Sequence, residues 1–279
     1  MSLNIDDFSN FKIVQDDGNW TDKKRFILVV DYWTQYFNTI SVKGNLIHAV
    51  GEKPNPIYDT SKKLIVIKGH TSINLLAILF AAARCGHTLY FDNATNLTKA
   101  WYKKVKPDIL MVGDGDLSFD GSRYSSGEGC IRLLFTRRFE QTDSSGNTYQ
   151  NKTPSSKHTL LHHKDKKDRK FSIKDLSNLT LKDNVPGVAY IEQDSIHQVN
   201  QLVDTIIPLM ESGCKIVLHT GLNGHDHKQS IIEHSPDIIY WGKEVFKMIE
   251  KKEPFINELA PHPVFVPHIR KTKKVVEKS

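Results

Sequence analysis

His219, His225, Asp226, His227 and His234 lie close together in the last third of the chain and are residue types that hold a metal or pass a proton. Zinc requires three or four ligands converging tetrahedrally, usually backed by hydrogen-bonded neighbours. Gly221 and Gly224 put these histidines on a turn, and no paired cysteines accompany them, so a histidine-bearing loop is expected and no metal site. His158, His162 and His163 stand beside Lys164, Lys166 and Lys167 in the manner of a pH-sensitive basic loop. Gly113-Asp114-Gly115-Asp116 has the glycines of a nucleotide turn, but its aspartates repel phosphate and no amphipathic helix begins after it. Hydrolysis by a Ser-His-Asp triad would call for a G-x-S-x-G elbow, which the chain does not contain. Arg137 and Arg138, at the end of an apolar run, can face an anion or stand in solvent.

The elements that would position these residues follow from periodicity. Lys23–Val42 carries Phe26, Val29, Val30, Trp33 and Phe37 at three- and four-residue steps, which predicts a helix with one buried face. Leu64–Ile67 is a short β-type run; Thr71 or Ser72 then caps a helix over Ile73–Cys85, Gly86 ends it, and Thr88–Phe91 resumes as strand. A polar helix over Thr95–Lys104 leads through Pro107 to the strand Ile109–Val112. The same grammar returns later. Val188–Ile191 reads as strand, Ile196–Ser212 as helix and Ile216–His219 as strand; Asp226 caps a helix through His234, and the strand Ile238–Tyr240 and helix Lys243–Lys252 follow. The junctions Cys85-Gly86 and Gly213-Cys214 are built alike, so the expected fold is α/β, two related βαβαβ lobes with mainly parallel sheets. The expected boundaries are 1–125 for the first lobe, 126–253 for the second with an exposed basic loop at 140–174, and 254–279 for a proline-containing basic tail without regular structure. Within that loop, Glu140–Ser156 has almost no large apolar residue and is expected to be mobile.

A chain of 279 residues can bury such cores without disulfides. Cys85, Cys130 and Cys214 are far apart and read, with no signal peptide in view, as reduced thiols in the cytoplasm. No apolar run approaches the roughly 20 residues that cross a bilayer. The net charge of +6 and pI near 9.0 raise a nucleic-acid reading, but the excess sits in Asn151–Lys174 and in the tail from Arg270, not along one face.

The order of segments resembles the adenylate-forming superfamily of acyl-CoA synthetases, luciferases and peptide-synthetase adenylation domains. The resemblance is carried by KKLIVIKGHTSINLLAILFAAARCGHTLYFDNAT, KPDILMVGD, DSIHQVNQLVDTIIPLMESGCKIVLHTG and SIIEHSPDIIYWGKEVFKMIEKK, within residues 62–113 and 187–252. It implies the fold of that family's N-terminal large domain, with ATP or AMP and magnesium as the cofactors of an active member and none assigned with certainty to this chain. It implies nucleotide contacts at Thr136, Arg137, Ser144, Ser145, Gly146 and Lys152, and a substrate pocket at His197, Tyr240, Trp241 and Gly242, where His197 otherwise reads as a helix-start histidine with one local hydrogen bond. No catalytic residue is assigned.

The departures from the family pattern decide the functional expectation. The Leu-Leu-Phe-Thr strand is present as Leu133–Thr136, but Arg137-Arg138-Phe139-Glu140 stands where the family has its Ser/Thr/Gly-rich phosphate loop. The displaced polar run from Thr142 has one glycine, and Asp143 repels phosphate. The family's Tyr-Gly-x-Thr-Glu motif, ribose-binding aspartate and C-terminal lysine domain find no match after Lys252. The expectation is therefore a truncated, catalytically incomplete relative: a pseudoenzyme acting as a binding or assembly module, with a second copy or a partner protein covering surfaces laid bare. The alternative is one half of a split ATP-dependent carboxylate ligase, acyl-CoA or amino-acid, inactive alone. A third reading is a basic nucleic-acid-associated protein.

Overall fold

The computed structural model describes residues 5–16, 18–39, 63–68, 71–91, 106–113, 131–135, 161–163, 169–171, 186–193, 202–219, 226–251, 253–259 and 262–267. β1 (Lys12–Gln15) and β2 (Trp20–Asp22) form an antiparallel pair that runs directly into α1 (Lys23–Thr39). The Asp22 carboxylate accepts the Arg25 N–H at 2.8 Å and so closes the start of that helix. β3 (Leu64–Lys68), α2 (Ile73–Arg84), β4 (Thr88–Phe91) and β5 (Ile109–Gly113) follow, then β6 (Ile131–Phe135), β7 (Leu161–His163) and β8 (Arg169–Phe171). The second half contains β9 (Val188–Glu192), a π-helical turn at Leu202–Ile206 continuing into α3 (Ile207–Glu211), β10 (Lys215–His219) and α4 (His227–His234). It ends with β11 (Ile238–Trp241), α5 (Lys243–Glu250), α6 (Pro254–Glu258) and β12 (Val264–Pro267).

Two six-stranded, mainly parallel sheets result, ordered β12-β11-β9-β10-β1-β2 and β6-β5-β3-β4-β7-β8. Between them lies an apolar layer. α2 is buried along Ile73–Ala83, and α1 packs on it through Phe26, Val29, Val30, Trp33 and Phe37. The same core takes Ile65, Ile67, Leu89, Ile109 and Met111 from one sheet and Ile13, Ala189, Ile191, Ile216 and Leu218 from the other. The alternate residues Tyr190, Val217 and Ile239 face outward to a second core with Ile231 of α4, Val245 of α5 and Phe255 of α6. Strand alternation thus gives one sheet two buried faces.

The kinship of the two halves is finer than the glycine junctions suggest. Gly86 and Gly213 end their helices at φ +70 and +85. At Gly213 a Cβ would come within 2.8 Å of Ser9 Cβ, so glycine is required there for space as well as conformation. Further on, Lys106-Pro107-Asp108 and Ser235-Pro236-Asp237 each begin with a residue of positive φ, 49 and 42. Asp108 accepts the Leu64 N–H at 2.7 Å and Asp237 the Val188 N–H at 2.9 Å. Each carboxylate thereby satisfies the first donor of the neighbouring central strand.

Three expectations are corrected. The sheets do not follow the chain division at residues 125 and 126: β1 and β2 join the sheet of β9–β12, whereas β6, β7 and β8 extend the sheet of β3–β5. The stretch expected to be loop throughout 140–174 contains the antiparallel pair β7–β8, with β7 parallel to β4. Open N–H and C=O groups along β4 favour such pairing even in a polar segment. The tail expected to lack regular structure contains α6 and β12. Prolines there stand at the start of the helix and the end of the strand, where a missing N–H costs little. The expected helix at Thr95–Lys104 and the expected mobile stretch Glu140–Ser156 lie outside the described residues.

Candidate functional site

β1, β9, β10 and β11 are parallel, so their C-terminal ends lie along one edge of the sheet, where α/β folds present their binding groups. Glu192 ends β9 and is 5% exposed. Its carboxylate accepts three backbone N–H groups: Gly242 at 2.7 Å, Glu244 at 2.7 Å and Val245 at 3.0 Å. These are donors of the first turn of α5, so the positive end of that helix is closed by a side chain fifty residues away. Gly242 makes room for it, since a Cβ would meet Glu192 Cδ at 2.9 Å.

The neighbouring helix starts are closed in the same way. Asp226 accepts the Lys228 N–H of α4 at 2.9 Å. At α2, Ser72 Oγ accepts from Leu75 N at 3.1 Å, and Gln15, at the end of β1, accepts from Ile73 N at 2.6 Å. Gln193 Nε2 donates to the Thr71 carbonyl at 2.7 Å, which ties the end of β9 to the same junction. Among the described residues the buried Thr71 hydroxyl has no hydrogen-bond partner.

On the outer face of the edge three rings meet. The Tyr190 hydroxyl and His227 Nδ1 are 2.7 Å apart. The His227 and His219 rings lie 3.9 Å apart with a tilt of 33°. Tyr190 and His219 are fully buried and His227 half-buried. Burial pushes the Tyr190 hydroxyl above its ordinary range, with Glu192, Asp16 and Asp226 adding to the shift. Burial also pulls His227 below the usual imidazole value, against the opposing pull of Glu192, Glu244, Asp226 and Asp16.

Of the residues expected to form a site, Tyr240, Trp241 and Gly242 are described. Tyr240 packs against the core between the sheets, while Trp241 belongs to the outer core and stacks on Phe246 at 5.1 Å and 13°. Consecutive strand residues face opposite ways, so these two do not line one pocket together. Gly242 serves the Glu192 cap. Thr136, Arg137, Ser144, Ser145, Gly146, Lys152 and His197 lie outside the described residues. Sequence reasoning missed Glu192, Gln15 and Gln193. The signal for Glu192 was present: a single acidic residue closing the apolar run Val188–Ile191. Nothing in the sequence pointed to its partners.

Among the described residues no group of three or more His, Cys, Asp or Glu is arranged to hold a metal ion. At the starts of α2, α4 and α5, backbone donors are engaged by the chain's own oxygens. Nor is any described helix long and apolar enough to cross a membrane.

No protein-family model matches the chain, and no curated protein matches it by sequence. Solved structures do match in shape. A fatty acyl CoA synthetase of Mycobacterium tuberculosis aligns with TM-score 0.65 and 10% identity over 93% of this chain and 51% of its own. Apo MatB from Rhodopseudomonas palustris aligns with TM-score 0.61 and 11% identity over 95% of this chain and 54% of its own. The luciferase-like enzyme of the mealworm Zophobas morio aligns with TM-score 0.59 and 11% identity over 91% of this chain and 61% of its own. The chain therefore spans about half to three-fifths of the length of these structures. It has the mixed α/β, mainly parallel fold of the large N-terminal domain of adenylate-forming enzymes, as its motifs implied.

Proposed function

We propose that this chain is a binding or assembly module built on the large-domain fold of adenylate-forming enzymes, and that as this polypeptide it does not carry a carboxylic acid through to an acyl-adenylate. The observation that supports this reading is the closure of the helix ends on the strand edge. Adenylation builds negative charge around the α-phosphate and relies on fixed cations and N–H donors to hold it. Here the first-turn donors of α2, α4 and α5 are engaged by Gln15, Ser72, Asp226 and Glu192. The carboxylates whose charge acts on His227 are Glu192, Glu244, Asp226 and Asp16, and they repel a triphosphate. In the stretch after Phe135, Arg137 and Arg138 stand where the resembled family has a glycine-rich phosphate loop.

A protein surface, not nucleic acid or a membrane, is the partner this reading assigns. Leu28 and Tyr32, one helical turn apart on α1, are exposed at 46% and 49% and suit a second copy or a partner protein. Cys85 and Cys214 are free thiols, each pushed up to about 12 chiefly by burial, in keeping with a reducing cytoplasm.

Isotopic pyrophosphate exchange tests the reading. The purified chain with magnesium ATP and a panel of fatty, aryl and amino acids is expected to exchange at the rate of a protein-free control. Acid-dependent exchange by the chain alone overturns the proposal. Exchange that arises only on adding a second polypeptide with the family's C-terminal lysine domain also overturns it, in favour of one half of a split ligase.

A further inference from the structure

We propose that the stacked pair His219–His227 is a proton-sensitive latch that holds the first turn of α4 on the sheet. His227 opens α4 and His219 ends β10, so the 3.9 Å contact between their rings joins helix to strand at one point. The hydroxyl of Tyr190, on β9, meets His227 Nδ1 from the side at 2.7 Å. With both imidazoles neutral this packing is favourable, and a neutral His227 with its proton on Nε2 leaves Nδ1 free to accept the Tyr190 hydroxyl hydrogen. An imidazolium carries N–H at both ring positions. His227 in that form offers Tyr190 only a donor, and the hydroxyl hydrogen must turn into a fully buried site. A cation is then also pressed against a buried imidazole.

The charged groups around the pair come from every neighbouring element: Glu192 on β9, Asp16 after β1, Asp226 at the start of α4, Glu244 on α5 and His219 itself on β10. Glu192 spends its carboxylate on the α5 donors, Asp226 on Lys228 N, and Glu244 pairs with Lys247 at 2.8 Å. Their attraction for a proton on His227 is outweighed by burial, and the site favours the neutral ring. Farther along α4, Ile231 is buried in the outer core and anchors the rest of the helix when its first turn lets go. Release bares Tyr190 and the ends of β9 and β10, which makes this strand edge accessible below neutral pH.

The sign follows from linkage. A histidine held neutral in the folded chain supports the closed state above its ordinary value of about 6.5, and that support is lost as pH falls.

Hydrogen exchange of the intact chain at about pH 7.5 and about pH 5, with labelling times scaled to intrinsic rates, reads this directly. Protection of the amides of 228–231 is expected to fall about tenfold or more at the lower pH while α2 is unchanged. In His219→Phe the same imidazolium meets an aromatic face that attracts it, and the loss is expected to shrink to about threefold or less. Equal protection of α4 at both pH values in the native chain overturns the latch, as does an undiminished loss in His219→Phe. If that variant does not fold, side-chain NMR of the native chain decides. A His227 that titrates like an exposed imidazole overturns the proposal, and one that stays neutral to lower pH, shifting the His219 signals as it protonates, supports it. None of these readouts requires a ligand or an activity.

Discussion

Glu192→Ala is expected to lower the unfolding free energy by about 3–5 kcal/mol, since two buried amides and one half-buried amide lose a charged acceptor at once. The carboxylate accepts from Gly242 and Val245, both buried, and from Glu244 at the protein surface. Each orphaned buried donor costs about 1–3 kcal/mol, and the start of α5 also loses the negative charge facing its dipole. Glu192→Gln is expected to cost nearly as much, because the carboxamide keeps one acceptor oxygen and turns an N–H donor toward N–H groups. Urea unfolding followed by fluorescence and circular dichroism measures this. A shift below about 1 kcal/mol would mean that water reaches the start of α5 freely and that Glu192 does not close it.

Phe26→Ala is expected to cost about 3–5 kcal/mol, the range for emptying a large aromatic from a well-packed core. Phe26 on α1 is fully buried and meets Phe11 edge-on at 5.6 Å and Phe80 of α2 at 5.8 Å. Phe8 meets Phe80 at 5.8 Å in the same manner. This group of rings joins the N-terminal segment to both helices of the central layer. The midpoint in urea should fall while the slope of the transition holds, as the surface exposed on unfolding is unchanged. A native-like midpoint would show that the two sheets are held together without this ring cluster.

The sequence was legible where a single element decides its own form. The three-and-four spacing from Phe26 to Phe37 yields α1 over Lys23–Thr39, and the apolar run after Ser72 yields α2 with Ser72 as its cap. Asp226 caps α4 as its type and place suggested. What escaped is set by pairing between distant segments. Nothing in Lys12–Gln15 says that it joins β10, 203 residues later, because any short β-type run can pair with any open parallel edge. β12 was missed for a related reason: three prolines around it signal irregular chain, yet Val264–Val266 remain free to pair. The Pro-Asp steps at 107–108 and 236–237 were visible as residues, but their role depends on which strand starts beside them. The same limit applied to the site. A cap normally precedes its helix by a few residues, and Glu192 stands fifty residues before the donors it serves.

Calorimetric titration of the purified chain with magnesium ATP tests most directly whether the strand edge is closed to a triphosphate. With the helix ends already engaged by Gln15, Ser72, Asp226 and Glu192, no saturable heat is predicted up to about millimolar nucleotide, where even weak binding of about 4 kcal/mol would register. A one-to-one isotherm with micromolar affinity would contradict the account.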